Sequence, residues 1–155
     1  MNLPIESESR PPSDRGQPLS RGVRLVLVLW GLFLSGGFVV ASRLEPDPRG
    51  YGTHQRLGLP ECSFRSWFGI PCPSCGGTTA FALFVRGRWI ESARANLSAF
   101  GAAILSAVLI PWSLYSSGIG HTWGIQRPDV AGLWILGVMG TIAILQWLAI
   151  LCFAT

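Results

Sequence analysis

Three long stretches without a charged residue are the feature that most limits what this chain can fold into. They cover residues 25–42, 95–126 and 130–155 and are 18, 32 and 26 residues long. A helix needs about 20 apolar residues to cross a bilayer, and runs of 18 or more are candidates. The sequence therefore predicts an all-α, polytopic membrane protein with three transmembrane helices, at about 23–42, 96–118 and 130–154.

The composition supports this interpretation. Charged residues make up 13% of the chain, whereas soluble domains carry about 25%. A soluble enzyme and a secreted disulfide scaffold are therefore disfavoured. The 12 basic residues are all arginines and are scattered between the apolar stretches, so we expect contact with the lipid bilayer and no nucleic-acid partner. Arginine without lysine favours a bacterial origin, and we expect a multi-pass protein of the inner (cytoplasmic) membrane.

The segments outside the spans differ in character. Residues 1–22 mix prolines, serines and charges of both signs, which predicts a disordered tail. Residues 23–155 are expected to form one membrane domain, in which 43–95 hold a cysteine-motif loop and short helices. Residues 75–85 predict a helix of half a bilayer's thickness, embedded in the membrane. Trp89, Ile90 and Ala93 recur at helical spacing opposite Arg88, which predicts an amphipathic interfacial helix.

Small residues recur every fourth position at the start of the second span. Such a stripe lets another helix approach closely in lipid. It predicts a contact with a membrane-protein partner or a second copy of the chain, through Ala95, Ala99, Ala103 and Ala107.

The cysteines carry the only indication of chemistry. Cys62, Cys72 and Cys75 fall within 14 residues, while Cys152 lies in the last apolar stretch. Pro73 suits the first position of a helix, which would make Cys72 the N-cap residue. A thiolate at Cys72 would then be favoured by the positive end of the helix dipole. Cys75 follows one turn later, within reach of a disulfide.

Three interpretations of this motif remain open. In the first, the cysteines stabilise the loop of a small scaffold or accessory subunit that has no catalytic role. In the second, the protein is a membrane thiol-disulfide oxidoreductase with Cys72 as the nucleophile and Cys75 as the resolving thiol. In the third, the loop binds zinc through Cys62, Cys72, Cys75 and His54. The spacing favours the structural interpretation, because a single CxxC without a βαβ context is a moderate signal.

The motif resembles that of a widespread bacterial family of small membrane proteins of unknown function. The family pattern is a cysteine, then G-x-P-C-P-x-C-G-x-T-R-A, a short helix, a glycine and an A-x-x-N element. The resemblance covers roughly residues 60–115 and implies that the motif is important, without implying a reaction. Thr79 departs from the pattern, since many members have arginine there. The matching positions are Cys62, Gly69, Pro71, Cys72, Pro73, Cys75, Gly76, Thr78, Ala80, Gly87, Ala93 and Asn96.

Arginine counting gives no decision about orientation. With three spans, the 43–94 segment carries seven arginines and the opposite face five, which places the cysteine loop inside. If residues 66–85 crossed the bilayer completely, Arg86, Arg88 and Arg94 would lie on the same side as the amino-terminal tail. That side would then carry seven arginines and the other side five. The seven are Arg43, Arg49, Arg56, Arg65, Arg86, Arg88 and Arg94, and the five are Arg10, Arg15, Arg21, Arg24 and Arg127.

Overall fold

The computed structural model describes residues 16–125 and 127–153, and within these ranges the regular elements are all helical. Three are long: α1 (Arg21–Arg43), α5 (Leu97–Ile119) and α6 (Pro128–Phe153). Each is long and apolar enough to cross a membrane. The predicted all-α fold with three membrane-spanning helices is confirmed, and each helix end lies within two residues of the predicted boundary.

The long helices pack around α5. It contacts both α1 and α6, whereas α1 and α6 do not contact each other. The helices approach closely at glycines: a side chain on Gly31 of α1 would meet Ser113 of α5 at 2.8 Å, and one on Gly101 of α5 would meet Met139 of α6 at 3.3 Å. Close approach at small residues is the usual way in which helices associate in lipid, where no hydrophobic force drives them together.

Hydrogen bonds between helix ends show that neighbouring long helices run antiparallel. Arg24, near the start of α1, donates from Nε to the carbonyl of Ser117 near the end of α5, at 2.6 Å. Gln146, near the end of α6, accepts from the backbone N–H of Ser98 at the start of α5, at 3.0 Å. One end of the bundle therefore joins the start of α1, the end of α5 and the start of α6. The opposite end joins the other three termini.

The amino-terminal segment is paired as far as the structure describes it. Of the predicted tail, residues 1–15 lie outside the described residues. Residues 17–19 run alongside residues 120–122, with Leu19 donating to the carbonyl of Gly120 at 2.8 Å and Thr122 to that of Gln17 at 3.0 Å. Ser20 then caps α1 through a bond from Val23. Residues 17–20 are thus part of the folded domain, because their backbone finds partners in the α5–α6 connection.

The connection between α1 and α5 forms a cap on the second end of the bundle. It contains a 3-10 turn (Thr53–Leu57) and three short helices, α2 (Ser63–Phe68), α3 (Gly77–Phe84) and α4 (Trp89–Ala95). Helix α3 contacts the 3-10 turn, α1, α4 and α5. The predicted amphipathic helix is present as α4, with Ile90 71% exposed and Arg88 paired with Glu91.

The predicted start of the embedded helix is wrong. Residues 72–77 form consecutive turns, with Cys75 N–H donating to the carbonyl of Cys72 and Gly77 N–H to that of Ser74, both at 3.0 Å. Gly76 has a left-handed backbone with φ +86°, which an α-helix does not accommodate. The helix therefore begins at Gly77, and Cys72 is not its N-cap.

The small-residue stripe is mostly used inside the chain. Ala95 ends α4, Ala103 is fully buried, and Ala99 lies 3.8 Å from where a side chain on Gly77 would begin. Ala107 is exposed. The partner contact predicted at this stripe stays a prediction, and Ala107 is the one member of the stripe that is exposed.

Candidate functional site

The cap brings the three clustered cysteines to one point. The sulfur atoms of Cys62, Cys72 and Cys75 all lie within 4.8 Å of one another. Those of Cys72 and Cys75 are 3.4 Å apart, and the backbone N–H of Cys72 donates to the sulfur of Cys75 at 3.3 Å. All three thiols are partly exposed. The cluster therefore consists of three accessible thiols that can act together on one ion or one sulfur atom.

Helix α2 returns the chain so that Cys62 faces the other two cysteines. The helix is only six residues long, with Cys62 before its first residue and Gly69 after its last. Gly69 has φ +69°, a conformation that glycine adopts at little cost and that ends a helix. The chain then turns back through Pro71 to Cys72. The nine residues between Cys62 and Cys72 in the sequence are thus closed into a loop.

Asn96 attaches the cysteine turn to the first turn of α5. Its side chain is 1% exposed. The amide nitrogen donates to the carbonyls of Pro73 and Cys75, at 3.2 and 3.0 Å. The amide oxygen accepts from the backbone N–H of Ala99 at 2.8 Å and from the Ser98 hydroxyl at 2.7 Å. One buried side chain therefore caps a membrane-spanning helix and positions both cysteines of the turn.

Gly76 allows the turn to lie directly against neighbouring backbone. A side chain at this position would begin 2.5 Å from the carbonyl oxygen of Ala95 and 2.8 Å from that of Gly50. Both distances are shorter than any ordinary contact with a side-chain carbon, and the backbone is left-handed here as well. The fold therefore requires glycine at position 76 for two independent reasons: the close backbone contacts and the left-handed conformation.

The last membrane-spanning helix also holds the loop. The indole N–H of Trp147 in α6 donates to the carbonyl of Pro71 at 2.8 Å, and its ring lies 6.1 Å from that of Phe64 in α2. All three long helices thus contribute to the cap, since α1 is joined to it by Arg86. That guanidinium donates to the carbonyls of Ala41 and Ser42 at the end of α1.

The surroundings change the acidity of two of the thiols in opposite directions. The pKa of Cys62 is lowered, chiefly by the backbone N–H of Arg65. The Cys62 side chain does not form a capping hydrogen bond to α2. The pKa of Cys75 is raised to about 12, chiefly by burial and then by the neighbouring Cys72 thiol. In the metal-free protein Cys62 therefore forms a thiolate more readily than Cys75.

The remaining residues singled out from the sequence have varied surroundings. His54 lies in the 3-10 turn with its Nε2 3.2 Å from the Pro60 carbonyl oxygen, and it is not among the three residues grouped around the sulfur atoms. Thr79 is fully buried, with its hydroxyl 2.7 Å from that of Thr53. Thr78 is exposed. Thr79 thus fills a packed position, and a side chain as large as arginine would displace its neighbours.

A cavity of about 1100 Å³ opens onto the cysteine cluster. The three cysteines and His54 line one part of it, together with Tyr51 and Arg65. The Arg65 guanidinium carbon lies 4.1 Å from the centre of the Tyr51 ring. The cavity continues between the long helices, where its walls are apolar.

Sequence reasoning missed several residues that build this site. It did not predict the bond from Trp147 to Pro71, which joins residues 76 positions apart. It also did not single out Ser92, whose buried hydroxyl donates to the carbonyl of Ala80 at 2.7 Å and joins α4 to α3. The available signal was a polar group on an otherwise apolar helix, as at Trp147 and Gln146, because such groups need a partner.

No curated protein and no solved structure matches the chain. Its residues 62–110 match the model of the family described as Protein of unknown function (DUF2752). The matched segment contains the whole cysteine cluster, α3, α4 and the first half of α5. The resemblance to a family of unknown function is therefore confirmed over residues 62–110.

Proposed function

We propose that the protein is a small membrane scaffold or accessory subunit whose cap is stabilised by a thiolate-bound metal ion, with zinc as the best fit. The observation that supports this proposal is the mutual distance of the three sulfur atoms. Zinc–sulfur bonds of about 2.3 Å in a tetrahedral site imply sulfur atoms about 3.8 Å apart. The 3.4 Å separation of Cys72 and Cys75 and the 4.8 Å limit for the group enclose that value.

The surroundings of the thiols support a metal as well. Thiolates must lose their protons to bind a metal, and the N–H groups that face Cys62 and Cys75 stabilise negative charge on sulfur. A bound cation would lower the pKa of Cys75, which burial raises in its absence. Asn96, Gly76 and Trp147 hold the turn in place, so little ordering is required on binding.

The fourth ligand is proposed to come from outside the cysteine motif. His54 lines the same cavity, but its Nε2 is engaged with Pro60 and the ring would have to turn towards the thiols. We therefore expect a water molecule or a small ligand at the fourth position.

Metal content of the purified full-length protein tests this proposal. We expect close to one zinc ion per chain, almost complete loss in Cys75→Ser and full retention in Cys152→Ser, the matched control outside the cluster. His54→Ala should retain the metal. A wild-type protein that neither contains zinc nor binds added zinc would contradict the proposal.

A second candidate function is thiol-disulfide exchange, favoured by the 3.4 Å separation of the Cys72 and Cys75 sulfur atoms. One thiolate would attack a substrate disulfide and form a mixed disulfide. A second thiol would resolve it, leaving a disulfide in the cap and two thiols on the substrate. The lowered pKa of Cys62 favours that residue for the first attack, in place of Cys72 as the spacing predicted.

Thiol labelling separates the two candidates. A metal site predicts that the three thiols react slowly until a chelator is added, and then react together. An exchange site predicts that one thiol reacts fast without a chelator and that replacing both Cys72 and Cys75 with serine traps a mixed disulfide at Cys62. Slow labelling that a chelator does not change would contradict both.

We also propose that the protein lies in the bacterial inner membrane with the cap on the cytoplasmic side. The eight-residue helix α3 is too short to cross a bilayer, so the arrangement with seven arginines on the cap face applies. A reducing compartment suits metal-bound thiols. In intact cells, an impermeant maleimide should not label the three clustered cysteines. After lysis it should label them once a chelator is added, without a reductant. Labelling of intact cells that requires reduction would place an oxidised pair outside.

The scaffold role predicts a partner that co-purifies in mild detergent. Ala107 is the part of the small-residue stripe that remains exposed, so Ala107→Leu should weaken such a complex. Val108→Leu, at an exposed position beside it, is the matched control. A protein that remains solitary in every mild detergent would argue against a scaffold.

A further inference from the structure

The cavity that reaches the thiols has a second, apolar part at the depth of the membrane. Its walls there are formed by α1, α5 and α6, with Val40, Ala102 and Met139 among the lining residues. At about 1100 Å³ the whole cavity is slightly larger than the usual range for small-molecule sites, about 300–1,000 Å³. The space is thus large enough for an elongated ligand with both a polar and an apolar part.

The apolar part exists because α1 and α6 pack on α5 without contacting each other. A glycine lies on each side of this cleft, Gly37 on α1 and Gly140 on α6, and both line the cavity. A side chain at either position would meet nothing within 4 Å. Neither glycine is therefore required by close helix packing, and their effect is to leave the cleft open. In a bilayer such a cleft fills with hydrocarbon, because water is not stable at that depth.

The polar part of the cavity presents a cation that lacks an anionic partner. Arg65 forms no ion pair with any residue in the described ranges and lies over the Tyr51 ring. Arg49 lies over the same ring at 5.2 Å and is paired with Asp47. The exposed Glu61 also lines the cavity. Two guanidinium groups beside one ring repel each other, and a phosphate bound at Arg65 would reduce that repulsion while accepting paired hydrogen bonds.

We infer that this cleft binds a phosphate-bearing membrane lipid, with an acyl chain between α1 and α6 and the phosphate at Arg65 beside the cysteine cluster. The apolar cleft leads directly to the cation, and a free phosphate ion would leave it unfilled. A lipid in this position would place its head group where it could reach the fourth position of a metal held by the three thiols. The inference does not depend on the metal, because the cleft and Arg65 are present without it.

Native mass spectrometry of the delipidated full-length protein tests the inference, with dioleoyl phosphatidylglycerol as the probe and dioleoylglycerol, which lacks the phosphate, as the comparison lipid. We expect one molecule of the phospholipid per chain and about tenfold weaker binding of dioleoylglycerol. Gly140→Leu and Gly37→Leu should each weaken phospholipid binding about tenfold by filling the cleft. Gly137→Leu and Gly36→Leu are the matched controls, since these glycines also have open space around them but do not line the cavity.

A second pair of variants tests the head-group contact. Arg65→Gln should weaken phosphatidylglycerol binding about tenfold and leave dioleoylglycerol binding unchanged. Arg56→Gln is the control, because Arg56 pairs with Glu45 and does not line the cavity. The metal content of Gly140→Leu should equal that of the wild type, which separates failure of this inference from failure of the metal proposal.

Three results would overturn the inference. The first is equal binding of the two probe lipids. The second is an equal loss of binding in the cleft variants and in their glycine controls. The third is a particle of two chains that Gly140→Leu converts to single chains, which would make the cleft an interface between copies.

Discussion

At both ends of the α1–α5 pair, an arginine side chain donates hydrogen bonds to the last carbonyl groups of a helix. At the cap end, Arg86 donates to the last carbonyls of α1, those of Ala41 and Ser42 at 3.2 and 3.1 Å. At the opposite end, Arg24 donates to carbonyls at the end of α5, those of Ser117 and Gly118, at 2.6 and 3.1 Å. In both cases a cation satisfies the carbonyl groups that a helix leaves without partners.

The buried polar side chains at the two ends differ in what they contact. At the opposite end, Ser113 and Ser117 donate to carbonyls three residues earlier in their own helix. At the cap end, Asn96 reaches Cys75 across 21 residues, and Ser92 reaches Ala80 across 12. Ser113 and Ser117 are therefore held by local bonds within α5, whereas Asn96 and Ser92 join different elements of the cap. A disturbance of the cap should consequently reach the thiols, and one at the opposite end should not.

The largest expected effect is that of Gly76→Ala. The new methyl group would meet two backbone carbonyls and would impose a left-handed conformation on alanine. Together these should lower the free energy of unfolding by about 4 kcal/mol. Thermal unfolding in mild detergent measures the loss. Gly69→Ala is the control, because Gly69 is also left-handed but has open space around it, and it should cost about 1 kcal/mol. Equal losses would show that the close approach at Gly76 does not matter.

Asn96→Ala should have the next largest effect. It removes the N-cap of α5 and leaves the carbonyls of Pro73 and Cys75 without their donor, at a cost of about 3 kcal/mol. The thiols should also become easier to label, because the turn loses its attachment. Ser117→Ala at the opposite end should cost less than about 1 kcal/mol and leave labelling unchanged. If Ser117→Ala speeds thiol labelling as much as Asn96→Ala, the contrast between the two ends is wrong.

The raised pKa of Cys75 predicts a pH dependence of stability. Burial raises this pKa to about 12 from an ordinary 9.0. Between these two values the Cys75 thiol keeps its proton in the folded, metal-free protein and has lost it in the unfolded chain. Because the folded state then binds more protons, its free energy of unfolding should fall as the pH rises from about 9 to 12. Denaturant titrations across this range should show a shallower fall in Cys75→Ser. Cys62→Ser should not make the fall shallower, since the pKa of Cys62 is lowered. An unchanged slope in Cys75→Ser would contradict the prediction.

The smallest effects are expected for the two arginines that finish the helices. Arg86→Gln and Arg24→Gln should each lower the free energy of unfolding by about 1 kcal/mol, because each loses charge-assisted bonds near solvent. Thermal unfolding of the two variants side by side measures this. A loss several times greater for Arg86→Gln would show that the cap depends on this cation as well as on Asn96.

The sequence predicted the spans well because each depends on a property of about 20 neighbouring residues. Helices α1, α5 and α6 end within two residues of the predicted limits for that reason. The start of α3 was misplaced because Pro73 is compatible with both a helix and a turn. The turn forms because Gly76 packs against the backbone of Gly50 and Ala95, which are distant from it in the sequence. The role of Asn96 was not predicted: from the sequence it was identified only as a position of the family pattern, because its bonds to the carbonyls of Pro73 and Cys75 join residues that are 23 and 21 positions apart.

The sequence by itself determined that this chain has three membrane-capable helices, a cysteine motif between the first two, and a segment shared with a family of unknown function. These follow from local hydropathy and from the order of residues. Only the tertiary structure decided that Cys62 joins Cys72 and Cys75, that Trp147 of the last helix holds their loop, and that α1 and α6 leave an open cleft leading to the thiols. Those properties depend on contacts between segments that are far apart in the sequence, and such contacts cannot be read from the local pattern of residues.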